Sequence, residues 1–264
     1  MAEAQADRRP TEHRVDRLWP DPAADLLLDD AFANVGLPDP PADRPLVGIN
    51  MVTSIDGRAQ LAGTAEGLGS RADRRLMQLY RTAYDAVASG AGTLRADDFY
   101  AALPADLSER RRAAGLAPQP LGLLIAGDGQ VPMDRRFFTE SPQPRAVAVG
   151  QGSPHAAAAP LPHVETWVAP TPQPEPGWIL ARLAERGVRS VLIEGGPTVN
   201  AAFLAAAMMD ELYWTVGPRV VATDALPMIA SLDEPHHPTE ARLVSAHRAG
   251  DELFLRYRLR GGVD

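Results

Sequence analysis

The apolar residues in the middle of the chain fall into short continuous runs. Residues 46–53 and 191–193 are two of these runs, and charged or turn-forming residues flank them. Continuous apolar runs are typical of strands that are buried on both faces of a parallel sheet. Between the runs lie segments with helical spacing, such as the one that begins at Ser70 and places Leu76 and Leu79 on one face. Strands that alternate with helices predict an α/β fold with a mostly parallel central sheet.

The two ends of the chain have a different pattern. Residues 1–45 are charged and proline-rich and lack clear periodicity, so we expect an N-terminal extension that is partly disordered or draped over the surface, with a short helix near residues 26–32. In residues 251–260 apolar residues alternate with arginines, which together with residues 241–248 predicts a C-terminal antiparallel hairpin. Its arginine-bearing face is expected to be solvated or to face a second subunit. Residues 46–264 are expected to form one domain.

Two of the predicted strands end in the same kind of turn. After residues 190–193 come Glu194 and the turn at residues 195–197, and after residues 85–89 comes a similar turn at residues 90–93; each leads into a helical segment. The N-terminus of a helix attracts phosphate through its free N–H groups and its dipole, and the carboxyl ends of parallel strands meet at one edge of the sheet. The pair of turns therefore predicts a nucleotide or pyrophosphate site, with ordinary strand-to-helix turns as the structural alternative. Neither turn fits the G-x-G-x-x-G fingerprint of a standard Rossmann domain.

Composition excludes several classes of function. The formal net charge of −8 argues against binding to nucleic acid or to an acidic membrane surface, and no run is apolar enough to predict a membrane span. There is no signal-like N-terminus, so we expect a cytoplasmic protein. The chain has no cysteine, and all 26 basic residues are arginine, which excludes a thiolate nucleophile, a cysteine-bound zinc and a Schiff-base lysine. The four histidines in proline-rich loops are expected to be solvated rather than to bind metal: His155, His163, His236 and His237.

Four motifs in order and spacing resemble a known family. They are TSIDGR at residues 53–58, GTLRADD at 92–98, EGGPT at 194–198 and DEL at 210–212. This set resembles the riboflavin-biosynthesis pyrimidine reductases, often the C-terminal half of a bifunctional deaminase-reductase, and the resemblance covers residues 46–260. It implies a dihydrofolate-reductase-like three-layer fold, usually a homodimer. It also implies NADPH-dependent reduction of 5-amino-6-(5-phosphoribosylamino)uracil to the ribitylamino compound, by hydride transfer to C1′ of the ribose.

The resemblance also implies which residues form the site. The positions that match cofactor-binding positions are Val52, Thr53, Gly92, Thr93, Asp97, Gly127, Gly195, Gly196, Pro197, Thr198, Val199 and Asn200. Those expected on the substrate side are Ser54, Asp56, Arg58, Arg81 and Glu194. We expect Asp56 and Glu194 to handle the proton, because a buried carboxyl group beside the ligand would have a raised pKa. The structural alternatives are a turn-forming role for Asp56 and a helix C-terminal charge for Arg81.

The chain departs from the family pattern in three places. The cysteines of the deaminase half are missing, so the preceding step is not expected here. After Asp98 the family usually has a phosphate-binding arginine, where this chain has FYAALP; Arg110, Arg111 and Arg112 are possible substitutes. After the strand at residues 121–126 the family usually has a serine and an arginine that suit the 2′-phosphate of NADPH. This chain has Gly127 and Gln130 at those positions, with Asp128 between them. An acidic residue there disfavours a 2′-phosphate, so NADH is an alternative cofactor.

Two other functions are compatible with the same residues. The fold could reduce a pteridine, a dihydrofolate or another pyrimidine. The chain could also be a non-catalytic nucleotide- or flavin-binding protein that has kept the phosphate site.

Overall fold

The computed structural model describes residues 12–127, 131–140, 142–157, 162–232 and 238–259. Its strands are β1 Arg14–Trp19, β2 Ala23–Leu27, β3 Leu46–Thr53, β4 Ala86–Gly90, β5 Leu121–Ala126, β6 Arg145–Val149, β7 Val164–Val168, β8 Ser190–Ile193, β9 Glu211–Val216, β10 Ala241–Ala249 and β11 Glu252–Leu259. Its α-helices are α1 Leu28–Ala31, α2 Arg71–Ala83, α3 Ala91–Asp97, α4 Ala105–Ala113, α5 Arg136–Thr139, α6 Pro176–Ala184 and α7 Pro197–Ala205.

These strands form one sheet in the order β2-β1-β10-β11-β9-β3-β8-β4-β5-β6-β7. The strands from β9 to β7 in this order pair in parallel, and β11 pairs antiparallel with both β9 and β10. The predicted fold, a mostly parallel sheet with a C-terminal antiparallel hairpin, is confirmed. In the part of the chain that the structure describes, no helix is long and apolar enough to cross a membrane.

Apolar side chains cover both faces of the sheet. Val191 and Ile193 of β8 pack in one buried cluster with residues of α6 and α7, whereas Leu192 between them packs with Leu76 and Leu79 of α2. Successive side chains of a strand point to opposite faces, so helices lie on both sides of the sheet. The result is the predicted three-layer arrangement, and it explains why the strand sequences are continuously apolar.

The N-terminal region extends the sheet rather than lying loosely on it. β1 and β2 form a hairpin that pairs with β10, and Val15, Leu28 and Phe32 are buried. The expectation of a partly disordered or draped segment is wrong for β1 and β2, because strand pairing fixes them. The short helix expected near residues 26–32 is present as α1. The sheet therefore crosses the boundary proposed at residue 45. Whether residues 46–264 form a domain by themselves stays a prediction.

The arginines of the last strand bind a buried carboxylate. Glu211 of β9 is fully buried, and its carboxylate accepts hydrogen bonds from Arg256 and Arg258 of β11. Arg256 also donates to the carbonyl oxygens of Val35 and Gly36. The predicted solvated role is wrong for Arg256, whose side chain is only 11% exposed, whereas the Arg258 side chain is 39% exposed. The subunit-facing alternative stays a prediction.

Candidate active site

A cavity of about 1110 Å³ opens at the carboxyl edge of the parallel strands. The end of β3, one face of α2, and the turns that lead from β4 into α3 and from β8 into α7 all line it. This volume exceeds the roughly 300–1,000 Å³ of a pocket for one drug-sized ligand. The cavity is therefore compatible with a ligand larger than one drug-sized molecule.

The two glycine turns meet inside this cavity, as the sequence predicts. β4 and β8 are neighbouring parallel strands, and the N–H of Gly90 donates to the carbonyl oxygen of Gly195 at 2.8 Å. A Cβ atom on Gly90 would lie 3.3 Å from the backbone nitrogen of Gly196 and 3.0 Å from Cγ2 of Val199. Glycine at position 90 therefore lets the two turns come into backbone contact.

Helix α7 presents its N-terminus to the cavity. Gly196 is its N-cap, without a side-chain capping bond, and Pro197 is its first residue. The Gly195–Gly196 peptide bond is cis, and Gly195 has a φ of 80°, which glycine adopts without strain. Thr198 and Val199 line the cavity, and N–H groups in the first turn of a helix have no acceptor within the helix. This turn has the geometry of a phosphate site.

Most of the predicted cofactor positions reach the cavity. Those that line it are Val52, Gly92, Thr93, Asp97, Gly127, Gly195, Gly196, Pro197, Thr198 and Val199. Thr53 and Asn200 are fully buried instead. Thr53 Oγ1 accepts from the Trp214 indole at 2.8 Å, and Asn200 Nδ2 donates to the Met228 carbonyl at 2.9 Å. These two side chains support the walls of the cavity from behind.

Arg81 and Glu194 form an ion pair on the cavity wall. Arg81 Nε and Nη2 donate to the two carboxylate oxygens of Glu194 at 2.7 and 2.6 Å, and the side chains are only 6% and 7% exposed. Arg81 Nη1 also donates to the Tyr100 carbonyl at 2.9 Å. A proton on either Glu194 oxygen would remove one of these hydrogen bonds. With both oxygens bound by Arg81, the geometry argues against the predicted proton transfer by Glu194, and its place on the substrate side stays a prediction.

The structure does not bring Asp56 to the cavity. Its carboxylate is exposed and accepts hydrogen bonds from Val221 N at 3.0 Å, Ala222 N at 2.9 Å and Ser54 Oγ at 2.7 Å. These bonds, above all those from Val221 N and Ser54, hold the pKa of Asp56 well below its usual range. The predicted burial and raised pKa are wrong, because backbone N–H groups surround the charged form.

Ser54 and Arg58 belong to the same turn and also lie outside the cavity lining. Ser54 Oγ accepts from Arg58 N at 2.9 Å, and Arg58 Nη1 donates to the Ala225 carbonyl at 3.1 Å. The TSIDGR motif thus ties the turn after β3 to residues 219–227. The turn-forming alternative describes these contacts better than substrate binding does.

Helix α2 contributes a carboxyl group that the sequence analysis did not assign to the site. Asp73 lines the cavity with Met77 and Arg81, at intervals of four residues along one helix face. Burial raises the pKa of Asp73 to about 6, and the nearby charge of Glu252 adds to this shift. The four-residue spacing between Asp73, Met77 and Arg81 was the available signal, but an acidic residue so close to Ser70 is typical of a helix start.

Arginines lie at the rim of the cavity. Arg74, Arg95 and Arg136 all line it, and the Arg136 guanidinium carbon lies 4.1 Å from the centre of the Tyr100 ring. Tyr100 belongs to the segment where the family usually has its phosphate-binding arginine. Arg136 therefore brings a guanidinium group to that segment from another part of the chain.

The three arginines of helix α4 do not line the cavity. Arg111 donates to the carbonyl oxygens of Tyr84 at 2.6 Å and Thr82 at 2.9 Å, Arg110 donates to the Ala33 carbonyl, and Arg112 pairs with Glu109 on the surface. The expectation that they replace the missing arginine is not supported, because Arg110 and Arg111 bind backbone elsewhere and Arg112 pairs with a surface carboxylate.

Some predicted features lie outside the described residues: Asp128, Gln130, His236 and His237. Within the described ranges, no group of three or more histidine, aspartate or glutamate side chains is placed to hold a metal ion.

Fold and cavity together define an α/β protein of the dihydrofolate-reductase-like class. The family model of the RibD C-terminal domain matches residues 45–255. The chain belongs to this family.

Relatives with curated names include two kinds of protein. The chain is 26% identical over 223 residues to the 2,5-diamino-6-ribosylamino-4(3H)-pyrimidinone 5′-phosphate reductase of Methanothermobacter thermautotrophicus. The alignment covers 83% of this chain and 100% of the relative. It is 26% identical over 190 residues to the riboflavin biosynthesis protein RibD of Bacillus amyloliquefaciens. This alignment covers 71% of this chain but only 49% of that relative.

Solved structures show the same fold. A pyrimidine reductase-like protein from Corynebacterium diphtheriae superposes with a TM-score of 0.72 at 23% identity, covering 83% of this chain and 93% of that one. The riboflavin biosynthesis reductase Rib7 of Saccharomyces superposes with a TM-score of 0.63 at 18% identity, covering 88% and 97%.

Proposed function

We propose that this protein is an NADPH-dependent reductase of riboflavin biosynthesis, which reduces the ribosylamino group of a pyrimidine 5′-phosphate by hydride transfer to C1′. One observation carries the proposal. One cavity contains the N-terminus of α7 and the charged side chains of Arg81, Glu194 and Asp73, and the chain aligns with a named pyrimidine reductase over that relative's full length.

The residues of the cavity fit a nicotinamide dinucleotide. Glycine at position 90 allows the two turns to touch, and the first-turn N–H groups of α7 suit a pyrophosphate. Val52, near the carboxyl end of β3, lines the cavity at a position expected near the nicotinamide, and Thr93 and Asp97 line it at positions expected to bind the cofactor. The bound cofactor would supply the hydride. The chain's own contribution is to orient the two ligands and to stabilise the charge that develops during the reaction.

We assign the substrate phosphate to the end of the cavity near Tyr100 and Arg136. Arginine binds phosphate well because its planar fork donates two parallel hydrogen bonds. The contact between Arg136 and Tyr100 supports this assignment. An Arg136→Ala variant should raise KM for a phosphorylated substrate about tenfold or more, which corresponds to roughly 1.4 kcal/mol, and should leave KM for the dephosphorylated substrate unchanged.

The first substrate to test is 5-amino-6-(5-phosphoribosylamino)uracil. A second candidate is the 2,5-diamino-pyrimidinone that names the archaeal relative, because this chain covers all of that relative and only about half of RibD. NADPH oxidation should be followed with each pyrimidine, with dihydrofolate and with a pteridine. Absence of turnover on both pyrimidines would overturn the proposal.

NADPH is proposed over NADH because arginines line the cavity rim. Competitive titration with the two cofactors tests this, since an arginine-bound 2′-phosphate should make NADPH bind at least about tenfold more tightly. Tight cofactor binding without hydride transfer to any of these compounds would instead identify a non-catalytic nucleotide-binding protein. The homodimer and the cytoplasmic location also stay predictions, and sedimentation of the full chain tests the first.

A further inference from the structure

Asp73 occupies a position at which an acidic residue normally has a structural task. It is the third residue of α2, after the N-cap Ser70. In a capping box an acidic or amide side chain at this position reaches back to the backbone N–H of the N-cap residue. The expected role of Asp73 is therefore to close the start of its own helix.

Another carboxylate has taken over that task. Glu252 of β11 accepts the Ser70 backbone N–H at 2.7 Å and the Ser70 hydroxyl at 2.5 Å. The Ser70 hydroxyl oxygen in turn accepts from Ala72 N at 3.0 Å and Asp73 N at 3.3 Å. The helix start is thus satisfied without the side chain of Asp73, whose carboxyl group is left to line the cavity.

The surroundings of Asp73 hold its carboxyl group in place and disfavour its charge. A Cβ atom at Gly69 would lie 2.1 Å from Asp73 Oδ2, so the carboxyl group packs directly over the backbone of Gly69. The charged groups that act on it are Glu252, Glu194 and Arg74, and the Thr215 side chain partly offsets the effect of burial. Tyr80 of the same helix is also within electrostatic reach.

Asp73 also lies near the point where the hydride is expected. Thr215, the side chain beside its carboxyl group, is the register partner of Val52 in the pairing of β3 with β9. Val52 is the cavity residue that we place beside the nicotinamide. Glu194, by contrast, has both oxygens committed to Arg81. Asp73 lines the cavity and its carboxyl group is hydrogen-bonded to the Thr215 side chain, so of these two carboxyl groups it is the better placed to reach a ligand.

We infer that Asp73 is the catalytic proton donor of the proposed reduction, an inference that rests on the proposed function. As the C1′–O4′ bond of the ribose ring breaks, O4′ takes the proton of Asp73 and becomes the 4′-hydroxyl group. The lone pair of the exocyclic nitrogen forms a C1′=N iminium bond. A hydride from the reduced nicotinamide then adds to C1′, and the electrons of that double bond return to nitrogen. The nicotinamide is oxidised, C1′ is reduced, and solvent returns the proton to Asp73.

The test compares the wild type with Asp73→Asn and Glu252→Gln over a range of pH. The donor must be protonated, so kcat/KM of the wild type should fall as pH rises through about 6, the pKa of Asp73. Asp73→Asn should lose about 100-fold or more in kcat, the usual contribution of a general acid. Its kcat/KM should also no longer fall as pH rises through about 6; this fall is called the pH limb. Glu252→Gln keeps one acceptor for Ser70 and removes a like charge, so it should shift the limb to lower pH.

A readout without ligands accompanies the kinetics. In carbon-13 NMR of aspartate-labelled protein, one carboxyl resonance should titrate near pH 6 and be absent from Asp73→Asn. Asp106→Asn, an exposed aspartate that pairs with Arg75, is the matched control and should keep the wild-type pH profile.

The outcomes separate the two proposals. Wild-type protein that turns over neither pyrimidine overturns the proposed function. Wild-type protein that is active, with an Asp73→Asn variant that keeps the pH limb or changes only KM, overturns the proton-donor inference alone.

Discussion

Arg81 and Glu194 are 113 positions apart in the chain and form a nearly buried two-point ion pair, with N–O distances of 2.7 and 2.6 Å. The pair joins the last turn of α2 to the residue that follows β8, and Arg81 also holds the Tyr100 carbonyl. The Arg81 side chain thus connects three segments of the cavity wall. Removing one member of such a pair leaves an uncompensated buried charge, which costs about 3–5 kcal/mol.

Arg81→Lys should therefore impair activity although it keeps the charge. Lysine cannot donate two parallel hydrogen bonds to a carboxylate, and hydrogen bonds to charged groups contribute about 1.5–3 kcal/mol each. We expect kcat/KM to fall about 10- to 100-fold, as measured by steady-state NADPH oxidation. Arg182→Lys is the control, because Arg182 pairs with Glu185 on the surface. Equal kcat/KM values for Arg81→Lys and the wild type would contradict a role for this pair.

Gly90→Ala should weaken cofactor binding selectively. The added methyl group would meet Val199 Cγ2 at 3.0 Å and Gly196 N at 3.3 Å, so the two turns must separate. We expect the Kd for NADPH to rise about tenfold, roughly 1.4 kcal/mol, in a fluorescence titration. Gly177→Ala on α6 is the control, because its nearest neighbour is Met208 Cε at an ordinary 3.5 Å. Unchanged NADPH affinity in Gly90→Ala would show that the cofactor does not depend on this contact.

Glu211→Gln should destabilise the fold. Glu211 is fully buried, and its neutral replacement leaves the partly buried guanidinium of Arg256 without its counter-charge. We expect the free energy of unfolding to fall by about 3–5 kcal/mol, measured by urea denaturation. Glu109→Gln, which changes a surface carboxylate paired with Arg112, should stay within about 0.5 kcal/mol of the wild type. A similar small loss in Glu211→Gln would mean that the arginines do not depend on this charge.

The sequence was sufficient where the signal is local. Strand runs, glycine turns and helix starts depend on residues within a few positions of each other, so the strand-turn-helix elements at residues 90 and 196 could be predicted. Their meeting at one sheet edge followed from the parallel arrangement of the strands. The confirmed fold class rests on these same local patterns.

The sequence was insufficient where a distant segment decides the role of a residue. Asp56 was expected in the site, but N–H groups of Val221 and Ala222, more than 160 positions away, enclose its carboxylate. From the sequence, Asp73 is expected to cap its own helix. In the structure Glu252, 182 positions from Ser70, accepts the Ser70 N–H instead. The hairpin of β1 and β2 is likewise fixed by β10. Such contacts leave no periodic pattern in the sequence.

The buried His247 should make the protein less stable in mild acid. It packs 4.7 Å from the Phe32 ring, and burial, with a smaller effect of Arg17, lowers its pKa from 6.5 to about 4. The unfolded chain therefore binds the proton first, so the free energy of unfolding should fall as pH drops from about 6.5 towards about 4, by at most about 1.4 kcal/mol per pH unit. Urea denaturation at pH 7 and pH 5 measures this loss, which should be smaller in His247→Gln than in the wild type. An equal loss in both proteins would assign the acid sensitivity to other groups.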